Sequence, residues 1–136
     1  MSEVRVPVSF GELIDKLTIL EIKLERMADP AKRANVEREY TALSETWNQV
    51  PQSAQDIAGL RSALKAVNER LWLIEDEVRE HDARQDFGPA FIELARSVYL
   101  NNDERARLKR EINLSLGSAL VEEKSYDDYG SGPTPI

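Results

Sequence analysis

Apolar residues in this chain recur at alternating steps of three and four, and that period admits helices and little else. The longest run is Ile57, Leu60, Leu64, Val67, Leu71, Ile74, Val78 and His81. Leu13, Leu17, Leu20, Leu24 and Met27 form a second, and Val36, Tyr40, Leu43, Trp47 and Val50 a third. Seams of this coiled-coil type bury one stripe of each helix against a neighbouring helix. Leu, Ala, Glu, Arg and Lys dominate the composition, as they do in helical proteins.

Local signals divide the seams into elements. Ser9-Phe-Gly-Glu12 reads as a capping box, with Ser9 as N-cap and Glu12 reaching back. The first helix should stop near Met27, and Asp29-Pro30 should open the second, Pro being suited to the first helical position. So short a turn makes the pair an antiparallel αα-hairpin. Val50-Pro51 ends the second helix, and Ser53-x-x-Asp56 caps a third of about 30 residues, some 45 Å long. That helix is the expected spine. Gln85-Asp-Phe-Gly-Pro89 is the next break. Beyond it Phe91, Leu94, Ala95 and Val98 face inward, followed by Leu108, Ile112 and Leu116, with Gly117 as C-cap. Asn101-Asn102-Asp103-Glu104 either caps a fifth helix or lies within one helix from Pro89 to Leu116; the break is the preferred reading. The expected fold is all-α: an antiparallel bundle of four or five helices opening with the αα-hairpin. It forms one domain over residues 1–124, followed by a flexible acidic tail, 125–136, that carries Tyr126 and Tyr129.

In the first helix, Ile14, Ile19 and Ile22 lie off the seam, so this helix is apolar on more than one face. It is then either central in the bundle or half of an oligomer interface, and these three isoleucines are the candidate interface residues.

The 136 residues include 25 acidic and 18 basic side chains, a formal net charge of −7. That balance argues against general nucleic-acid binding and against docking on an anionic membrane. With no cysteine there is no thiol chemistry, and the single histidine, His81, excludes any site needing two imidazoles. No apolar run reaches the roughly 18 residues of a membrane span, and the N-terminus lacks the pattern of a secretory signal. A cytoplasmic protein is expected.

Two polar stripes are the candidate site. Asn68, Trp72, Glu75 and Arg79, with Asp76 beside Glu75, share one face of the third helix. Asn102, Arg105, Lys109 and Asn113 share one face of the last. If these helices pack side by side, Arg105 and Lys109 can grip a phosphate or carboxylate, with Glu75 or Asp76 as base or Mg²⁺ ligand. The competing and commoner use of such stripes is an ion-pair network that fixes helix register. Glu75-Asp76-Glu77 and Glu80, with Glu12 and Asp15, also invite comparison with all-helical, metal-dependent nucleotide pyrophosphatases. Lys16, Lys23 and Arg79 would partly neutralise that cluster, so no metal site is assigned. No cofactor is expected, Mg²⁺ entering only with the phosphorylated ligand.

Three stretches carry a resemblance: Val8-Ser-Phe-Gly-Glu-Leu-Ile-Asp-Lys-Leu-Thr-Ile-Leu-Glu-Ile-Lys23, Leu71-Trp-Leu-Ile-Glu-Asp-Glu-Val-Arg79, and Phe91 through Asn113 followed by Glu122-Glu-Lys-Ser-Tyr126. Together they resemble a small bacterial and phage family of about this length whose function is unknown, over most of residues 4–126. Its members, encoded near glycosyltransferases and tetratricopeptide proteins, imply a role around surface polysaccharide or nucleotide sugars. The resemblance supplies no catalytic residue. It does emphasise Glu12, Asp15, Lys16, Glu75, Asp76, Arg105, Lys109, Asn113 and Lys124. The expected function is a protein-interaction or accessory module, with a protein partner or self-association. The alternative is an enzyme or binding protein for a phosphorylated or nucleotide-sugar ligand.

Overall fold

Four helices follow one another in a computed structural model that describes residues 2–125. The expected tail from Tyr126 onward lies outside the described residues. α1 spans Phe10–Arg26, α2 Pro30–Gln49, α3 Ala58–Ala83 and α4 Pro89–Leu116; a 3₁₀ turn, Pro51–Ala54, links α2 to α3. No strand occurs among the described residues, and no helix there is long and apolar enough to cross a membrane.

The helix ends follow local chemistry. Ser9 Oγ accepts from the Glu12 amide at 3.1 Å. The expected return bond of the capping box is absent, because Glu12 turns to Lys109 on α4 instead. Pro30 and Pro89 open α2 and α4, where a missing N–H is harmless. Arg33 of α2 donates to Leu24 O and Met27 O, satisfying carbonyls at the end of α1. Asp56, not Ser53, starts α3 by accepting from the Ala58 amide at 3.0 Å, while Ser53 Oγ donates to Val50 O in the 3₁₀ turn. At the end of α4, Gly117 takes a left-handed φ of 66°, and the Ser118 amide closes back on Asn113 O at 2.8 Å. This is a Schellman stop, the conformation glycine adopts without a Cβ penalty.

Two expectations are corrected. The last two helices are one. Asn101 does not cap a new helix; its Nδ2 donates to Ser97 O at 2.8 Å and its Oδ1 accepts from Arg70 Nε of α3 at 3.0 Å. With both ends of its amide occupied, it has no reason to compete with the helix backbone. Nor is α3 the spine. α1 packs against α2, α3 and α4 in turn, while α3 lies chiefly along α4. Ile14, Leu17 and Ile22 are at most 1% exposed, so the extra apolar faces of α1 are covered by this chain's own helices. Ile19 stays half-buried.

The core gathers Leu13, Ile14 and Leu17 of α1 with Trp47, Leu64, Val67, Leu108 and Ile112. Trp47 meets Phe10 edge-to-face, ring centroids 6.2 Å apart. On the flank of α1, Arg61 and Lys65 of α3 pair with Glu21 at 2.6 and 3.4 Å, and Lys65 also reaches Glu25. The distal part of the α3–α4 hairpin is different. Between Asn68 and Leu108 no residue is fully buried.

Candidate ligand cleft

One charged residue of α1, off its leucine seam, is fully buried. Asp15 lies among Leu13, Ile14 and Leu17 and is 0% exposed. Its carboxylate receives both Nε (2.9 Å, to Oδ1) and Nη2 (to Oδ2) of Arg105 from α4. Asn68 of α3 donates to Asp15 Oδ1 and to Thr18 Oγ1, each at 2.9 Å, and the Thr18 hydroxyl donates to Asp15 O at 2.8 Å. One carboxylate thereby ties three helices. The two parallel bonds fix the guanidinium plane. The Asp15 hydrogen bond and charge hold Arg105 above the usual guanidinium range against the opposing effect of burial, so it stays charged.

This network forms the base of a cleft of about 480 Å³ where α3 and α4 diverge from α1. Ile19, Ile22, Leu71 and Val98 give it apolar walls. Trp72, Glu75, Asp76 and Arg79 line it from α3, and Asn102 and Arg105 from α4. Glu75 and Arg79 lie one turn apart and pair at 3.5 Å. Trp72, Asp76 and Asn102, by contrast, have no hydrogen bond or ion pair among the described residues, and Nη1 of Arg105 has none either. Donors (indole Nε1, the Asn102 amide, Nη1) and acceptors (the Asp76 carboxylate, the Asn102 carbonyl) thus converge on apolar walls.

Of the candidate residues, Asn68, Trp72, Glu75, Asp76, Arg79 and Arg105 line this one cleft. Ile19 and Ile22, singled out as interface candidates, line it too, whereas Ile14 is inside the core. Lys109 and Asn113 stand elsewhere. Lys109 Nζ is gripped by Glu12 Oε2 at 2.7 Å and Glu122 Oε2 at 3.0 Å, and its side chain is 9% exposed. Burial pulls its pKa down, but the bonds to Glu12 and Glu122 more than offset this and leave it raised. Asn113 Oδ1 accepts from the Gly11 amide at 2.6 Å, and its Nδ2 is buried without a partner among the described residues. The α4 stripe therefore splits: its N-terminal half faces the cleft, and its C-terminal half clamps the start of α1 and the segment after α4. Glu12 and Asp15 are turned to these cations, not to Glu75 and Asp76. No group of three or more acidic or histidine side chains placed to hold a metal ion occurs among the described residues.

Thr18 and the bracing role of Asp15 are absent from the sequence-derived site. Asp15 had a readable signal, an acid flanked by seam residues in the most apolar helix. Thr18 had none, since hydroxyls are common on helices.

No curated protein and no solved structure matches the chain. Residues 4–136 match a family of unknown function (DUF6165), nearly the whole chain, and the protein belongs to that family.

Proposed function

We propose that the protein is a small binding module that takes a polar small molecule into the cleft between α3 and α4, as an accessory to another activity. One observation carries this reading. The guanidinium of Arg105 is locked by a fully buried carboxylate, yet its third nitrogen has no partner among the described residues, and Arg105 lines the same cleft as Trp72, Asp76 and Asn102, which have none there either. Apolar replacements for a buried ion pair are often neutral or stabilising, so stability alone is a poor reason to keep one here. A preorganised donor over apolar walls is what ligand sites are made of.

The phosphate grip expected of Arg105 and Lys109 has less support than the cleft. Each cation is already matched by carboxylates, Arg105 by Asp15 and Lys109 by Glu12 and Glu122. A role around surface polysaccharide or nucleotide sugars, which the resemblance implied, is compatible with a cleft that offers hydrogen bonds and an indole to a polar ring.

A thermal-shift panel of sugars, amines, nucleotide sugars and sugar phosphates tests the reading on wild type and Trp72→Ala. A ligand at about 100 times its Kd adds about 2.7 kcal/mol. At about 3.5 °C per kcal/mol for a chain this long, that is a shift near 9 °C. Trp72→Ala should abolish it without lowering the unliganded melting temperature by more than a few degrees. A panel without a shift would transfer weight to partner docking. That second reading has its own observation: the distal α3–α4 hairpin exposes Leu73, Phe87, Ile92 and Tyr99.

A further inference from the structure

We infer that the cleft selects a protonated amine, held between the Trp72 ring and the Asp76 carboxylate. The inference rests on the ligand-binding reading above and gives it a chemical class.

The argument is charge matching. Every other charge at the cleft has an opposite partner close by. Arg105 is neutralised by Asp15 in a two-bond pair, and Arg79 by Glu75 at 3.5 Å. Asp76 has no such partner among the described residues, so the cleft is left with one negative charge. An anionic ligand would have to sit close to that charge, whereas a cationic one is attracted by it. The net charge of −7 on the whole chain also repels an anion on approach and draws a cation in.

Position adds to charge. Trp72 and Asp76 are four residues apart on one helix, so their side chains are neighbours on one face, and both line the cleft. An indole face attracts an ammonium group through its quadrupole, more strongly when water is excluded. A carboxylate beside it supplies the counter-charge. On the opposite wall Asn102 and Nη1 of Arg105 offer donors. They suit an uncharged oxygen on the far end of the same molecule, a hydroxyl or a carbonyl. The ligand class is therefore a small amine with hydroxyl or carbonyl oxygens.

The test uses probes matched in shape and differing in charge: glucosamine against glucose, and cyclohexylamine against cyclohexanol, with glucose 6-phosphate as the anion. Each is titrated into the ¹⁵N-labelled full chain at mildly acidic pH, where both amines are protonated. The readout is the Trp72 indole N–H, with the core indole of Trp47 as internal reference. The amines should move the Trp72 signal with an affinity about tenfold tighter than their neutral partners. Asp76→Asn should erase that difference while leaving the rest of the spectrum native. If the neutral probes or the phosphate bind as tightly as the amines, the amine class is overturned and the cleft reading survives. If no probe of any charge moves Trp72, both fall.

Discussion

Helix propensity and packing make opposite predictions for Gly11→Ala, and the structure decides between them. In an isolated helix this change is favourable by up to about 1 kcal/mol, and by less in the first turn. Here Gly11 lies where the backbone of α1 comes close to that of α4. A Cβ at this position would stand 2.4 Å from Lys109 O and 3.0 Å from Asn113 Oδ1. The first atom is helix backbone and cannot step aside, so α1 must lift. Overpacking of this kind costs about 1–3 kcal/mol. Lifting α1 also stretches the 2.6 Å bond from the Gly11 amide to Asn113, worth about 1 kcal/mol. After the propensity gain is deducted, the net loss is about 2 kcal/mol, or about 7 °C in melting temperature for a chain this long. Gly59→Ala is the control. It too lies in the first turn of a helix, but nothing stands within 4 Å of its Cβ, so it should be neutral or raise the melting temperature by about 1–3 °C. Differential scanning calorimetry on the three proteins suffices. A Gly11→Ala variant as stable as wild type would refute the close approach of α1 to α4, and with it the placement of Asp15 against Arg105.

Further outcomes follow from the same geometry. Arg105→Ala leaves Asp15 buried without its cation and should cost about 3–5 kcal/mol in urea unfolding, with Arg105→Lys recovering only part because an ammonium cannot make the paired bonds. The raised pKa of Lys109 predicts stability that is full below the ordinary lysine value of about 10.4 and falls as pH rises through it. Lys65, raised first by its hydrogen bond to Glu25, contributes in the same window, so Lys109→Met should flatten the alkaline decline without abolishing it. Amide exchange should be fastest, among the helices, in the distal α3–α4 hairpin around residues 74–98, where no side chain is fully buried, and slowest near Leu64 and Ile112. Equal protection in both regions would contradict the packing described.

Much of the molecule is legible in its local signals. Proline marks the starts of α2 and α4, Ser9 that of α1, and Gly117 the end of α4, because each acts on groups within one turn of itself. Asn101-Asn102 misled for the complementary reason. Asparagine is a cap when its amide lacks a better partner, and here Arg70, thirty-one residues away, supplies one. Glu12 behaves alike: the capping-box pattern is present, but Lys109 across the α1–α4 contact outcompetes the Ser9 amide. The α3 residues Asn68, Trp72, Asp76 and Arg79 line one cleft together, since they need only helical spacing to share a face. The α4 stripe does not stay together, because α1 covers its C-terminal half.

From periodicity and capping alone, then, the chain determines its helices and the face each one buries, since both depend on residues three or four apart. Which helix becomes the hub depends on the relative tilt of all four. The tertiary structure gave that place to α1, whose isoleucines need cover on several sides. It also decided the fate of each charge. Lys109 and Arg105 are one helical turn apart on one stripe, yet Lys109 is enclosed by Glu12 and Glu122 while Arg105 reaches the cleft. A charge is matched by whatever comes within a few ångströms in space, and spacing along one helix carries no information about that.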